Sequence, residues 1–329
     1  MQVNNMKCKY VYTLISNGED NYTEQMAVSA YSLKHYNTSA NIILVTDQRT
    51  LDDIHLHGMD GLLLDIDDVV VAETEASYNG MQRSRQLKTS VRNLVDGDIL
   101  FIDTDTIITG KLEYINEFDN IVLGAVYDGH HKNVTIKFNE KANAVMDTIG
   151  WKKEFITEYY NSGIIFVKDC DEARDFYKKW NENWIKTKDL GYNFDQLSFA
   201  FTNKELNNLI KPLPFYLNAQ VNTTSLLLIS NALILHLFYG SNKSKNIVNK
   251  LSKFSDDLYL RVKKQKKLSD LDKIEVLRWK TLLYPEIENQ STLERKILFI
   301  LFKACMQGNL KDTLKAYYIK LKRKFYQKK

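Results

Sequence analysis

The sequence predicts an α/β protein in which a sheet is flanked by helices, with a helical region following it. Three observations carry this. Short β-rich runs alternate with helical stretches through the first half of the chain. Two apolar runs end on an acid, at Asp47 and at Asp103, as strands do when they lead into a ligand loop. From about Lys245 the composition shifts to Lys, Leu and Tyr at helical spacing.

The elements follow in order. Residues 9–16 read as the first strand, and a polar loop over 17–21 leads into a helix over 22–35, with Met26, Ala27, Ala30 and Leu33 at helical spacing. Residues 41–46 form the second strand, and a weaker strand comes after 61–64. A helix over 83–94 precedes a buried apolar strand over 98–103 that terminates in acid. Ligands of open α/β sheets bind beyond the carboxyl ends of strands, which is where Asp47 and Asp103 fall. Residues 121–126 and 164–167 read as further strands. A helix over 170–187 carries Phe176, Trp180 and Trp184 on one side, read as core. The last apolar strand, 232–237, carries His236 and gives way to Gly240-Ser-Asn-Lys243. The division drawn is a compact domain over 1–243 and a basic helical region over 244–329.

Composition narrows the class. With 329 residues and 44% hydrophobic content the chain suits one large globular domain with an appendage. Cys8, Cys170 and Cys305 are odd in number and far apart, which builds neither a disulfide framework nor a zinc site. The opening segment lacks the features of a secretory signal, and no apolar stretch approaches the roughly 20 residues that span a bilayer. The expected compartment is therefore cytoplasmic.

The net charge of +4 hides an asymmetry: residues from 241 onward hold 23 Lys and Arg against 9 Asp and Glu, leaving 22 basic and 32 acidic residues before them. In the last predicted helix Leu310, Leu314, Tyr317, Leu321 and Phe325 form a stripe flanked by Lys311, Lys315, Lys322 and Arg323. Such a helix either lies on an anionic membrane surface, here the inner face, or packs back on the domain. A nucleic-acid partner is not expected, because no helix-turn-helix, zinc or RNA-recognition signature accompanies the charge.

The residues with the most chemistry are Asp103 and Asp105, two carboxylates set in the apolar run Phe101-Ile-Asp-Thr-Asp-Thr-Ile-Ile. In a strand, positions two apart point the same way, and burying such a pair is costly without a partner. A divalent cation is the natural partner, and hard oxygen ligands suit Mn²⁺ or Mg²⁺, which complete their shell with water and substrate phosphates. His236, a neutral imidazole ending an apolar strand, is a plausible third ligand. Asp65-Ile-Asp67 has the same spacing and reads as a loop pair, and Asp128-Gly-His130-His131 reads as an acceptor-side loop.

In the order of its companions the chain resembles glycosyltransferase family 8, the group containing glycogenin and bacterial lipopolysaccharide galactosyl- and glucosyltransferases, over about residues 9–243. The resemblance implies a GT-A fold with a mixed sheet, and a donor that is a nucleoside-diphosphate sugar, most simply a UDP-sugar. It implies that Tyr12, Thr13 and Asn17 hold the nucleobase and that Arg83 and Lys88 lie by the donor phosphate or sugar. Thr104, between the two acids, counts on the donor side. Asn161-Ser162-Gly163 resembles a family segment read as a loop closing on the donor sugar, and Asp195-Gln196 resembles the pair that binds sugar hydroxyls near the anomeric carbon. His236 resembles the histidine completing the metal site, with Gly240 and Lys243 resembling the glycine and lysine that grip the diphosphate. The chain departs from the pattern in a longer His-to-Gly gap and in lacking the customary Pro-Trp after the lysine.

The expected function is hexosyl transfer, with retention of configuration implied by the resemblance, to a hydroxyl of a glycan or glycolipid. Asp195, Gln196 and Lys243 are the expected catalytic residues. The alternative carried beside it is a non-catalytic sugar-nucleotide or glycan-binding protein of the same fold.

Overall fold

A computed structural model describes residues 8–113, 115, 118, 120–130, 136, 138–221, 229, 231–237 and 247–279, with a few isolated positions between 300 and 315. Gly240, Lys243, His131, Cys305 and most of the 310–325 stripe lie outside the described residues.

The chain opens with β1 (Lys9–Leu14), α1 (Tyr22–Tyr36), β2 (Ile42–Thr46), α2 (Gln48–Leu56) and β3 (Asp68–Val71). It continues through α3 (Gly80–Ser90), β4 (Ile99–Ile102), β5 (Thr106–Ile108), β6 (Leu123–Tyr127), α4 (Glu140–Ile149) and β7 (Tyr160–Val167). Then come α5 (Asp171–Asp189), α6 (Gln196–Glu205), β8 (Ile210–Pro212), β9 (Ala219–Gln220), β10 (Ile234–His236), α7 (Ile247–Gln265) and α8 (Asp270–Leu277).

The main sheet has seven strands in the order β3-β2-β1-β4-β7-β6-β8. The strands β1 to β4 are parallel, and β7 runs against both β4 and β6, so the sheet is mixed as expected. A small second sheet, β5-β10-β9, brings His236 opposite Thr106, directly after the two acids.

Alternation along the strands splits the core into two layers. Tyr10, Tyr12, Leu14, Leu100 and Ile102 face α1 in one cluster, whereas Val11, Ile99 and Phe101 face the other, with Phe176 and Trp180 of α5 and Phe199 of α6. Phe176, Trp180 and Trp184 are fully buried, which supports their reading as core. Each such side chain contributes about 1.5–3 kcal/mol by leaving water. Leu258, Tyr259 and Val262 of α7, Val276 of α8, and Trp279 join the α1 layer, so these C-terminal helices share the core of the sheet.

Three expectations change. The first strand ends at Leu14, because Ser16, Asn17 and Asp20 bond among themselves to make the following loop. Asp103 and Asp105 do not lie in a strand: they occupy the turn between β4 and β5. Asn161-Ser162-Gly163 is not a loop either, because these residues lie within β7, fully buried between β4 and β6.

Candidate active site

Chain order reverses between β1 and β4, the strands from which β2 and β7 depart in opposite directions. Crevices open beyond the carboxyl ends of strands at such a point. Here it is a cleft of about 1070 Å³, reached from the end of β1 by Thr13 and Asn17, from the β4–β5 turn by Asp103, Thr104 and Asp105, and from β7 by Asn161, Ser162 and Gly163. Arg83, Arg85 and Lys88 line it from α3, Asp195 and Gln196 from the start of α6, and His236 from β10.

At its floor Asp103, Asp105 and His236 each present a ligand atom, and the three lie within 4.8 Å of one another. His236 Nε2 stands 3.2 Å from Asp105 Oδ1. Its Nδ1 donates to Asn218 Oδ1 at 3.0 Å, which fixes the ring and turns Nε2 toward the acids. Asn218 in turn donates to Asn161 Oδ1, and Asn161 donates to Asp128, so one amide chain runs behind the histidine. Burial works against a charge on His236, yet Asp105 and then Asp103 outweigh it and hold its pKa above the ordinary histidine value. Burial also raises the Asp103 carboxyl, against the pull of Lys88 and His236. Two carboxylates and an imidazole at this spacing attract positive charge and could together hold a metal ion.

The turn is braced from beneath. Thr106 Oγ1 donates to the Asp103 carbonyl at 3.0 Å and shares a hydrogen bond with Ser29, which shares another with the Tyr12 hydroxyl. Tyr12 was expected at the nucleobase, but alternation along β1 sends its side chain into the core, away from the cleft that Thr13 faces. Gly163 Cα passes so close to the triad that a Cβ there would lie 2.4 Å from His236 Cε1 and 2.9 Å from Asp103 Oδ2.

The basic wall comes from α3, whose start is fixed by a reciprocal cap between Asn79 and Gln82. Lys88 lies over the Phe101 ring and bridges Asp103, at 3.1 Å, to Asp195, at 3.5 Å. Arg85 Nε meets the other Asp195 oxygen at 2.8 Å, and Ser162 donates to Asp195 at 2.8 Å. Burial alone would raise the Asp195 carboxyl, but Lys88, Arg85 and Ser162 hold it down at about 2. Asp195 is therefore a fixed negative charge beside the triad. Arg83 is tied to Asp47 at 2.5 Å. Gln196 lines the cleft beside Asp195, and Thr104 reaches Gln25. Asp67 serves structure, pairing with Lys34 and accepting from the Ile42 amide, while His130 contacts the Asn218 carbonyl.

Sequence reasoning passed over Asn218 and gave Arg85 no role of its own. The first sits in a segment with no pattern. The second was visible as the residue three before Lys88, on the same helical face.

No protein-family model and no curated protein matches the chain. Three solved structures to which it is similar are glycosyltransferases. Mouse xyloside xylosyltransferase 1 matches at 13% identity and TM-score 0.47, over 72% of this chain and 99% of that one. The galactosyltransferase LgtC, solved with donor and acceptor sugar analogs, matches at 13% identity and TM-score 0.47, over 78% and 95%. The glycosyltransferase GlyE of Streptococcus pneumoniae matches at 14% identity and TM-score 0.46, over 84% and 64%. All three scores lie below one half.

Proposed function

We propose that this chain is a metal-dependent glycosyltransferase that moves a hexosyl group from a nucleoside-diphosphate sugar, most simply a UDP-sugar, to a hydroxyl of a glycan or glycolipid. The observation that carries this is the convergence of Asp103, Asp105 and His236 at the floor of a cleft whose wall holds Arg83, Arg85 and Lys88. A diphosphate is a ligand that uses both, a divalent cation bridging its oxygens and basic side chains beside them.

The three triad residues would hold Mn²⁺ or Mg²⁺, which neutralises charge on the departing diphosphate. Lys88 and Arg85 place positive charge beside the same position, and Thr13 and Asn17, which also line the cleft, would meet the nucleoside. Asp195 and Gln196, which line the same cleft, would face the donor sugar. In the step itself the sugar C1–O bond to the diphosphate breaks and a bond from C1 to the acceptor oxygen forms. The acceptor proton passes to the leaving phosphate oxygen on the same face, which retains the configuration. This assigns no general base to the protein.

The test is release of free nucleoside diphosphate from a panel of UDP- and GDP-sugars with Mn²⁺, followed with acceptor by anomer-resolved NMR. The reading expects one donor to be cleaved, and the Asp103→Asn/Asp105→Asn variant to be slower by about a hundredfold or more. Donor binding without turnover would favour the sugar-nucleotide-binding alternative. An inverted linkage would contradict retention.

A further inference from the structure

The loop between β1 and α1 carries Ser16, Asn17 and Asp20 into the cleft. Its internal bonds are short-range: Ser16 Oγ to Asp20, the Asn17 amide to Asp20, and the Glu19 and Asp20 amides to Asn17 Oδ1. Such a loop needs outside anchors to keep one position. On one side His57 packs against Gly18, at 2.4 Å from where a Cβ would stand, and Gly18 adopts φ +75. On the other side the anchor comes from far along the chain. Lys263 of α7 donates to the Glu19 carbonyl at 2.6 Å and to the Asp20 carbonyl, with Asn21 Oδ1 at 3.5 Å.

An ammonium beside the first turn of α1 opposes the positive end of that helix. Two features offset this. The carbonyls of Glu19 and Asp20 precede the ladder of α1, which begins at Asn21, and accept from Lys263, and the buried Glu24 carboxyl in the first turn of α1 is attracted to Lys263. The lysine is held in turn by its helix, because Tyr259 and Val262 are fully buried against the α1 layer. Arg261 pairs with Asp272 and Glu275 of α8 and fixes the elbow beyond it.

We infer that Lys263 is a positioning residue for the donor pocket: it clamps the loop that presents Ser16, Asn17 and Asp20, and so makes the basic C-terminal helices part of the donor site. This rests on the donor reading above.

The test compares the full chain with Lys263→Met and Lys263→Arg. Amide hydrogen exchange at Glu19, Asp20 and Tyr22 reports the loop without reference to activity, and donor hydrolysis with Mn²⁺ reports the pocket. The inference expects exchange at these amides to rise by at least about tenfold in Lys263→Met, while the amides of β1 and β4 stay protected. Donor KM rises by about tenfold, kcat stays within about twofold, and Lys263→Arg restores both, since a guanidinium can also donate to two carbonyls. Unchanged exchange overturns the clamp. Faster exchange with an unmoved KM overturns its role in donor binding. A wild-type chain that neither binds nor cleaves any donor overturns the donor reading itself, and is told apart because the exchange arm still shows whether Lys263 holds the loop.

Discussion

A methyl group at Gly163 would collide with His236 and crowd Asp103, so this glycine is required by close approach. Gly163→Ala is expected to keep the fold, since β7 is held by both neighbouring strands, and to lower donor hydrolysis by about a hundredfold through displaced ligands. Steady-state kinetics beside a circular dichroism spectrum checks this. Asn218 acts one step further out. Asn218→Ala leaves His236 Nδ1 without its acceptor and is expected to weaken Mn²⁺ binding about 10–100-fold, read by calorimetry. Glu24 gives a pH signature. Burial lifts its carboxyl to about 7, and neither oxygen has a hydrogen-bond partner elsewhere among the described residues. The folded state therefore binds the proton more tightly than the unfolded chain, and stability falls as pH rises between the ordinary carboxylate range and about 7. Glu24→Gln lacks that slope. Urea melts at pH 5 and pH 8 should show the variant gaining up to about 3 kcal/mol on the wild type. A difference independent of pH would mean that Glu24 titrates normally.

At the scale of elements, α7, α8 and the turn at Trp279 carry the most consequence. Trp279 is fully buried in the α1 layer, and Trp279→Ala is expected to cost about 3–5 kcal/mol, visible as a lower urea midpoint. Strands β2 and β4 could be read from the sequence because their runs are almost wholly apolar, as strands covered on both faces are. The start of β7 could not: Tyr160, Asn161 and Ser162 are turn-forming or polar, and only pairing with β6 and the partners Asp128, Asn218 and Asp195 make their burial tolerable. The elements α2, α4, α6, β8 and β9 were passed over, three of them helices of nine or ten residues and two of them strands of three and two residues. The two acids were recognised by residue type, whereas their convergence comes from a turn that residue spacing does not reveal.

For the whole molecule, the mixed sheet flanked by helices agrees with the sequence, and the cleft lies where chain order reverses. Residues 83 to 236 supply groups that are far apart in sequence and meet only because β7 and β10 return beside β4 and β5. Pairwise distances of this kind have no local signature. An acidic first part of the chain thus presents a basic wall at one place, through three residues of a single helix, α3.

On the proposed function, a divalent cation held by Asp103, Asp105 and His236 is needed for a nucleoside diphosphate to bind. Calorimetric titration of the full chain with UDP, in Mn²⁺ and then in EDTA, tests it directly, with Asp103→Asn/Asp105→Asn alongside. Binding in Mn²⁺ is expected to weaken by at least about tenfold in EDTA and in the variant. Equal binding with and without metal, or binding that survives loss of both carboxylates, would contradict it.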